Sequence, residues 1–113
     1  MKPHTTLADY FIEHASSSKF IYEIEDGKKK SHKQIIENAK KISTNLNLDN
    51  ESIVTVILPN SIEYIECFLS TMIRGLVFNP VPYFIQTQEL KKIFEYINPS
   101  IIITDKKEIF SIF

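Results

Sequence analysis

Residues 53–61 run Ile53-Val54-Thr55-Val56-Ile57-Leu58-Pro59-Asn60-Ser61, IVTVILPNS, an almost unbroken apolar stretch that ends at a proline. A strand with one wet face alternates apolar and polar side chains. This one does not, so both of its faces should be covered, as the strands of parallel sheets are. Pro59 closes the strand. Asn60 or Ser61 then stands where a helix needs its cap, with Glu63 placed to close back on the first free amide. In many α/β proteins such a junction holds a phosphate or a catalytic group. Here Glu63 and Glu66 would repel an anion, and capping by itself accounts for the residues.

The same alternation continues downstream. Ser61 to Arg74 reads as a helix that buries Ile62, Ile65, Phe68, Leu69, Met72 and Ile73, and Gly75 is suited to end it in the left-handed conformation. Leu76 to Val81 is a second strand, stopped by Pro80 and Pro82. Thr87 is placed to cap a helix with Leu90, Ile93, Phe94 and Ile97 inward. Asn98-Pro99-Ser100 turns the chain into a third strand, Ile101 to Thr104. Asp105 and Glu108 have capping-box spacing ahead of Ile109, Phe110, Ile112 and Phe113. Three strands separated by helix-length crossovers should be parallel neighbours joined right-handedly.

Upstream, Thr5 or Thr6 can cap a first helix reaching about Ser17, with Leu7, Ala8, Phe11, Ile12 and Ala15 on one stripe. Phe20 to Ile24 and Lys28-Lys29-Lys30 flank Asp26-Gly27, which signals a tight hairpin, and the lysines read as a solvated edge strand. Ser31 and Gln34 have capping-box spacing, and Ile35, Ile36, Ala39, Ile42 and Leu46 mark a helix to about Asn47. The hairpin is free to pair away from the other strands. Residues 1–113 therefore read as a single α/β unit: three layers, a mainly parallel sheet flanked by helices, and an N-terminal β-hairpin.

Composition excludes several classes. A net charge of -1 over 113 residues supplies no basic field for nucleic acid. No apolar run approaches a membrane span and no leader-like segment opens the chain, so a cytoplasmic protein is expected. The only two glycines, Gly27 and Gly75, cannot make a glycine-rich phosphate cradle.

The reactive side chains fall into no constellation. His4, His14 and His32 match no metal spacing, and Cys67, the single cysteine, has no partner and nothing nearby to lower its pKa. Glu63 and Glu66 read as charged surface, and Asp105 as a helix cap. No catalytic, cofactor-binding or metal-ligating residue is expected. The last apolar stretch shows no stop signal, so Phe110 and Phe113 should have something further to pack against, either a continuation of the chain or a protein partner.

Three segments together resemble the N-terminal region of the adenylate-forming (AMP-binding) superfamily: acyl-CoA synthetases, peptide-synthetase adenylation domains and luciferases. They are GKKKSHKQIIENAKKISTNL; Ile53 to Ser61 with Glu63, Phe68 and Arg74-Gly75; and Asn79-Pro80-Val81-Pro82 with Glu89-Leu90 and Ile101 to Asp105. The match runs from about residue 7 to the end. The family's Ser/Thr/Gly-rich ATP loop ending in lysine, its ribose contact, its hinge and its C-terminal lysine have no counterpart in this sequence. The resemblance implies a parent ligase that uses ATP and Mg to adenylate a carboxylate and then passes the acyl group to a thiol of CoA or a carrier protein. This chain would be scaffold for a larger adenylate-forming N-terminal domain, inactive on its own. The alternative is a stand-alone α/β module for binding or dimerisation.

Overall fold

The computed structural model describes residues 7–16 and 18–113. Helix α1 (Leu7–Glu13) leads to a hairpin of β1 (Phe20–Tyr22) and β2 (Lys29–Ser31), and α2 (His32–Asn45) follows. Then come β3 (Ile53–Ile57), α3 (Ile62–Ile73), β4 (Val77–Pro80), α4 (Thr87–Ile97), β5 (Ile101–Thr104) and a 3-10 helix (Lys107–Ser111). The expected cap at Thr5 or Thr6, Ser17 itself and the side chains of Leu7 and Ala8 lie outside the described residues, but α1 already ends at Glu13, short of the end expected at about Ser17.

The parallel sheet has the order β4-β3-β5, and the hairpin forms a separate two-stranded sheet. β3 is central and covered on both faces, as its uninterrupted apolar run requires: Val54, Val56 and Ile57 are fully buried. On one face Val54 and Val56 pack with Cys67 of α3, Leu46 and Phe78. On the other, Ile57 packs with Leu90 and Phe94 of α4 and with Ile109. A third cluster joins α2 to the far side of α3 through Ile35, Ala39, Ile62 and Leu69, with Phe11 and Ile21 against it. Helix α3 is therefore sandwiched between sheet and α2, which explains why its Ser70 and Thr71 are buried. Each donates its hydroxyl to the carbonyl three residues earlier, at 2.7 Å.

Local signals are realised where they act over a few residues. Ser31 Oγ accepts from Gln34 N–H at 3.2 Å while Gln34 Oε1 accepts from Ser31 N–H at 2.9 Å, a complete capping box. Gly75, at φ +69°, ends α3: its N–H donates to Met72 O and that of Leu76 to Thr71 O.

Three local expectations are corrected. The hairpin loop spans residues 24–27, since Glu23 N–H donates to Lys28 O and Gly27 N–H to Glu23 O, so Gly27 closes a wider turn at φ +73°. Helix α4 begins at Thr87 with Gln86 as an N-cap that makes no side-chain bond. Asp105 caps nothing; the final element is a 3-10 helix headed by Lys106, whose N–H bonds Thr104 Oγ1. The hairpin lysines keep the expected solvated edge at Lys28 and Lys29, which are exposed, while Lys28 and Lys30 also reach carboxylates of α3 as described below. Among the described residues no helix is long and apolar enough to cross a membrane.

Candidate functional site

In an open parallel sheet, ligands bind beyond the carboxyl ends of the strands where neighbouring loops leave toward opposite faces. β3 is such a place. Its exit loop, residues 58–61, leads to α3 on one face, whereas the exits of β4 and β5 lead to α4 and the 3-10 helix on the other. Two clefts open there, of about 640 and 660 Å³, and Leu58, Pro59 and Asn60 line both.

The first cleft lies under the hairpin. Its charged lining consists of Glu23, Glu25, Asp26, Glu63 and Asp105 against Lys28. Its floor is the N-terminus of α3. Ser61 Oγ accepts from Tyr64 N–H at 3.2 Å, as the sequence suggested for a cap. Glu63 does not close back. The amide of Ile62 instead donates to Glu23 Oε1, a carboxylate brought in from the hairpin. The positive end of α3 is thus taken by the protein's own anion. Glu63 turns to Lys28, with Nζ to Oε1 at 2.5 Å. That ion pair holds the Glu63 carboxyl below the usual carboxylate range and raises the Lys28 ammonium above its ordinary value.

Glu66 departs furthest from the sequence expectation of charged surface. It is 3% exposed, and accepts from Lys30 Nζ at 3.2 Å and from Asn38 Nδ2 at 2.8 Å. Glu23, Glu63 and Glu66 thus face Ile62 N–H, Lys28 and Lys30, and lock the hairpin to α3. The only sequence trace of this pairing is the matched alternation of Lys28 and Lys30 on a strand with Glu63 and Glu66 one turn apart on a helix.

The second cleft is lined by Tyr64, Tyr83, Phe84 and three prolines. Tyr83 Oη donates to Asp105 Oδ1 at 2.9 Å, which raises the Tyr83 pKa. Lys106 donates Nζ to Tyr83 O and stands 4.4 Å from the centre of its ring. Asn79 Nδ2 donates to the buried Thr55 Oγ1 at 2.9 Å, a bond between strands. Cys67 is buried, and burial first and Glu66 second push its pKa up to about 11. His14 packs at a tilt against Tyr10 and His32 against Phe11, and His4 lies outside the described residues. Among the described residues no group of three or more His, Cys, Asp or Glu is arranged to hold a metal ion.

This lining does not suit the phosphates of ATP. A triphosphate would meet five carboxylates and one lysine at a helix end already occupied by Glu23.

No family model and no curated protein matches the sequence. The fold has clear counterparts among solved structures. The complex of VinN with L-aspartate superposes with a TM-score of 0.84 at 16% identity, over 94% of this chain and 30% of VinN. ATP-bound MatB from Rhodopseudomonas palustris gives 0.81 at 20% identity, over 93% and 22% of the two chains. The N-terminal subdomain of NpsA from Klebsiella oxytoca gives 0.75 at 18%, over 88% and 26%. All are adenylate-forming proteins, so the resemblance drawn from the sequence holds at the level of fold. The chain spans between about a fifth and a third of their length.

Proposed function

We propose that this chain is the scaffold portion of an ATP-dependent, AMP-forming carboxylate ligase. In this reading it carries no catalytic, cofactor-binding or metal residue of its own, and residues 1–113 act as one structural unit beneath a nucleotide site built elsewhere. The observation that carries the reading is the fold match over nearly the whole chain to adenylate-forming proteins of which it spans less than a third. The acidic cleft at the carboxyl edge supports it, because a scaffold can leave that edge hostile to phosphate where a nucleotide site cannot. ATP, Mg and the acceptor thiol of CoA or a carrier protein then belong to the parent ligase. The remainder of the adenylation domain is the partner that would cover Phe110 and Phe113, which are 72% and 62% exposed.

The 113-residue chain should take up no ATP in titration calorimetry with excess magnesium and should support no pyrophosphate exchange with any carboxylic acid. Stoichiometric ATP binding or measurable exchange would refute the assignment. A reading frame that runs on from Phe113 into a Ser/Thr/Gly-rich segment ending in lysine would strengthen it.

A further inference from the structure

The hairpin of β1 and β2 is not held as the other elements are. Sheet and helices meet through buried apolar clusters on the two faces of β3 and between α2 and α3. The hairpin adds little to them. Phe20, Tyr22 and Lys29 are exposed, Ile21 and Lys30 are half-buried, and Ser31 is buried as the cap of α2. Ile21 packs at the margin of the cluster between α2 and α3, while Ile24 at the hairpin tip is 88% exposed. The ties to α3 are a row of charged contacts: Glu23 on the Ile62 amide, Lys28 on Glu63 and Lys30 on Glu66. A segment with few buried apolar contacts opens at lower free energy than the core beneath it. Once detached, a two-stranded hairpin is itself marginal in water.

We propose that this hairpin is an electrostatically latched flap, which lifts off α3 and loses its ladder as one unit while the parallel sheet and its helices stay folded. Closed, it walls the cleft at the exit of β3 with Tyr22, Glu23 and Lys28 and seats a carboxylate on the first amide of α3. Open, it uncovers both. Access to the carboxyl edge of β3 is then set by how firmly Glu63 and Glu66 hold the two lysines, and not by the packing of the core. The latch contacts lie wholly within this chain and are the same whether or not the chain is a ligase scaffold, so either reading can fail without the other.

The test is native-state hydrogen exchange of the 113-residue chain at residue resolution. Two amides report the flap. Glu23 N–H donates across the hairpin to Lys28 O, and Ile62 N–H, at the first position of α3 where the helix supplies no acceptor, donates to the Glu23 carboxylate. Val77 and Val81 N–H, which donate to Ser52 O and Val56 O, report the body. Glu23 and Ile62 should share one opening equilibrium, about a hundredfold more populated than that of Val77 and Val81 and far less dependent on urea, because little surface is exposed. Ile57→Val, in the cluster on the far face of β3, should speed exchange at Val77 and Val81 about fivefold and leave Glu23 and Ile62 unchanged, since the open flap keeps that cluster intact. Glu66→Gln should speed Glu23 and Ile62 by about tenfold. If a variant fails to fold, the urea dependence of the unaltered chain decides. Unrelated opening at Glu23 and Ile62, a urea dependence as steep as that of Val77 and Val81, equal acceleration of all four amides by Ile57→Val, or no response to Glu66→Gln would each overturn the proposal.

Discussion

Replacing Glu66 by alanine tests whether the hairpin is held to α3 by burial or by contact distance. The two ion pairs of the clamp rank oppositely on these criteria. Lys28 and Glu63 meet at 2.5 Å with side chains 43% and 47% exposed, whereas Lys30 and Glu66 meet at 3.2 Å with 27% and 4% exposed. Truncating one partner of a fully buried pair costs about 3–5 kcal/mol, because the remaining charge is left without compensation. Lys30 keeps some access to water, which lowers the cost, but Asn38 also loses its acceptor. The expected loss is about 2–4 kcal/mol for Glu66→Ala, against about 1 kcal/mol or less for Glu63→Ala. Urea unfolding followed by circular dichroism measures both. The midpoint should fall markedly for the first variant and barely for the second, with Glu66→Gln between them because the amide keeps an acceptor for Asn38. If Glu66→Ala costs no more than Glu63→Ala, the burial reasoning is wrong.

Three further outcomes follow from the same geometry. Glu63 has a folded pKa below its unfolded value, so its contribution is present above about pH 4.3 and disappears as pH falls through the depressed value. For Lys28 the folded pKa is raised, so its contribution is lost only as pH climbs through that higher value; the melting-temperature gap between wild type and Glu63→Gln should be flat between these limits and close at both ends, and a gap that widens in acid contradicts the pairing. Cys67, with its thiol at about pKa 11 against an ordinary 9.0, should react with iodoacetamide at pH 8 about 100-fold more slowly in the native chain than in urea; equal rates would show that the thiol is exposed. Gly75→Ala, at φ +69°, should destabilise by about 1 kcal/mol through backbone strain although its nearest neighbour, Asn50 Oδ1 at 3.7 Å from the new methyl, leaves room for it; an unchanged urea midpoint would contradict this.

How far the sequence reached depended on the range of each signal. The apolar run at Ile53 to Leu58 determined a central strand, because no one-faced strand lacks alternation. The alternation of strand and helix after it determined parallel neighbours, and Ser31 with Gln34 determined a helix start that the fold completes without outside help. The candidate site was less legible. Glu66 carries the same charge and helical spacing as a surface residue. It is buried because α2 and the hairpin close over α3 from one side while the sheet closes over the other. The cap of α3 is half local, from Ser61, and half distant, from Glu23.

Capping boxes, apolar periodicity and left-handed glycines act across a few bonds, so the sequence by itself determined the order of elements and the central strand. Only the tertiary structure decided which carboxylate meets which ammonium and which helix end is already occupied. Those outcomes depend on how elements some 30 or 40 residues apart dock, as Glu23 and Ile62 do. Desolvation at such contacts, which no local spacing encodes, then sets how much each charge contributes.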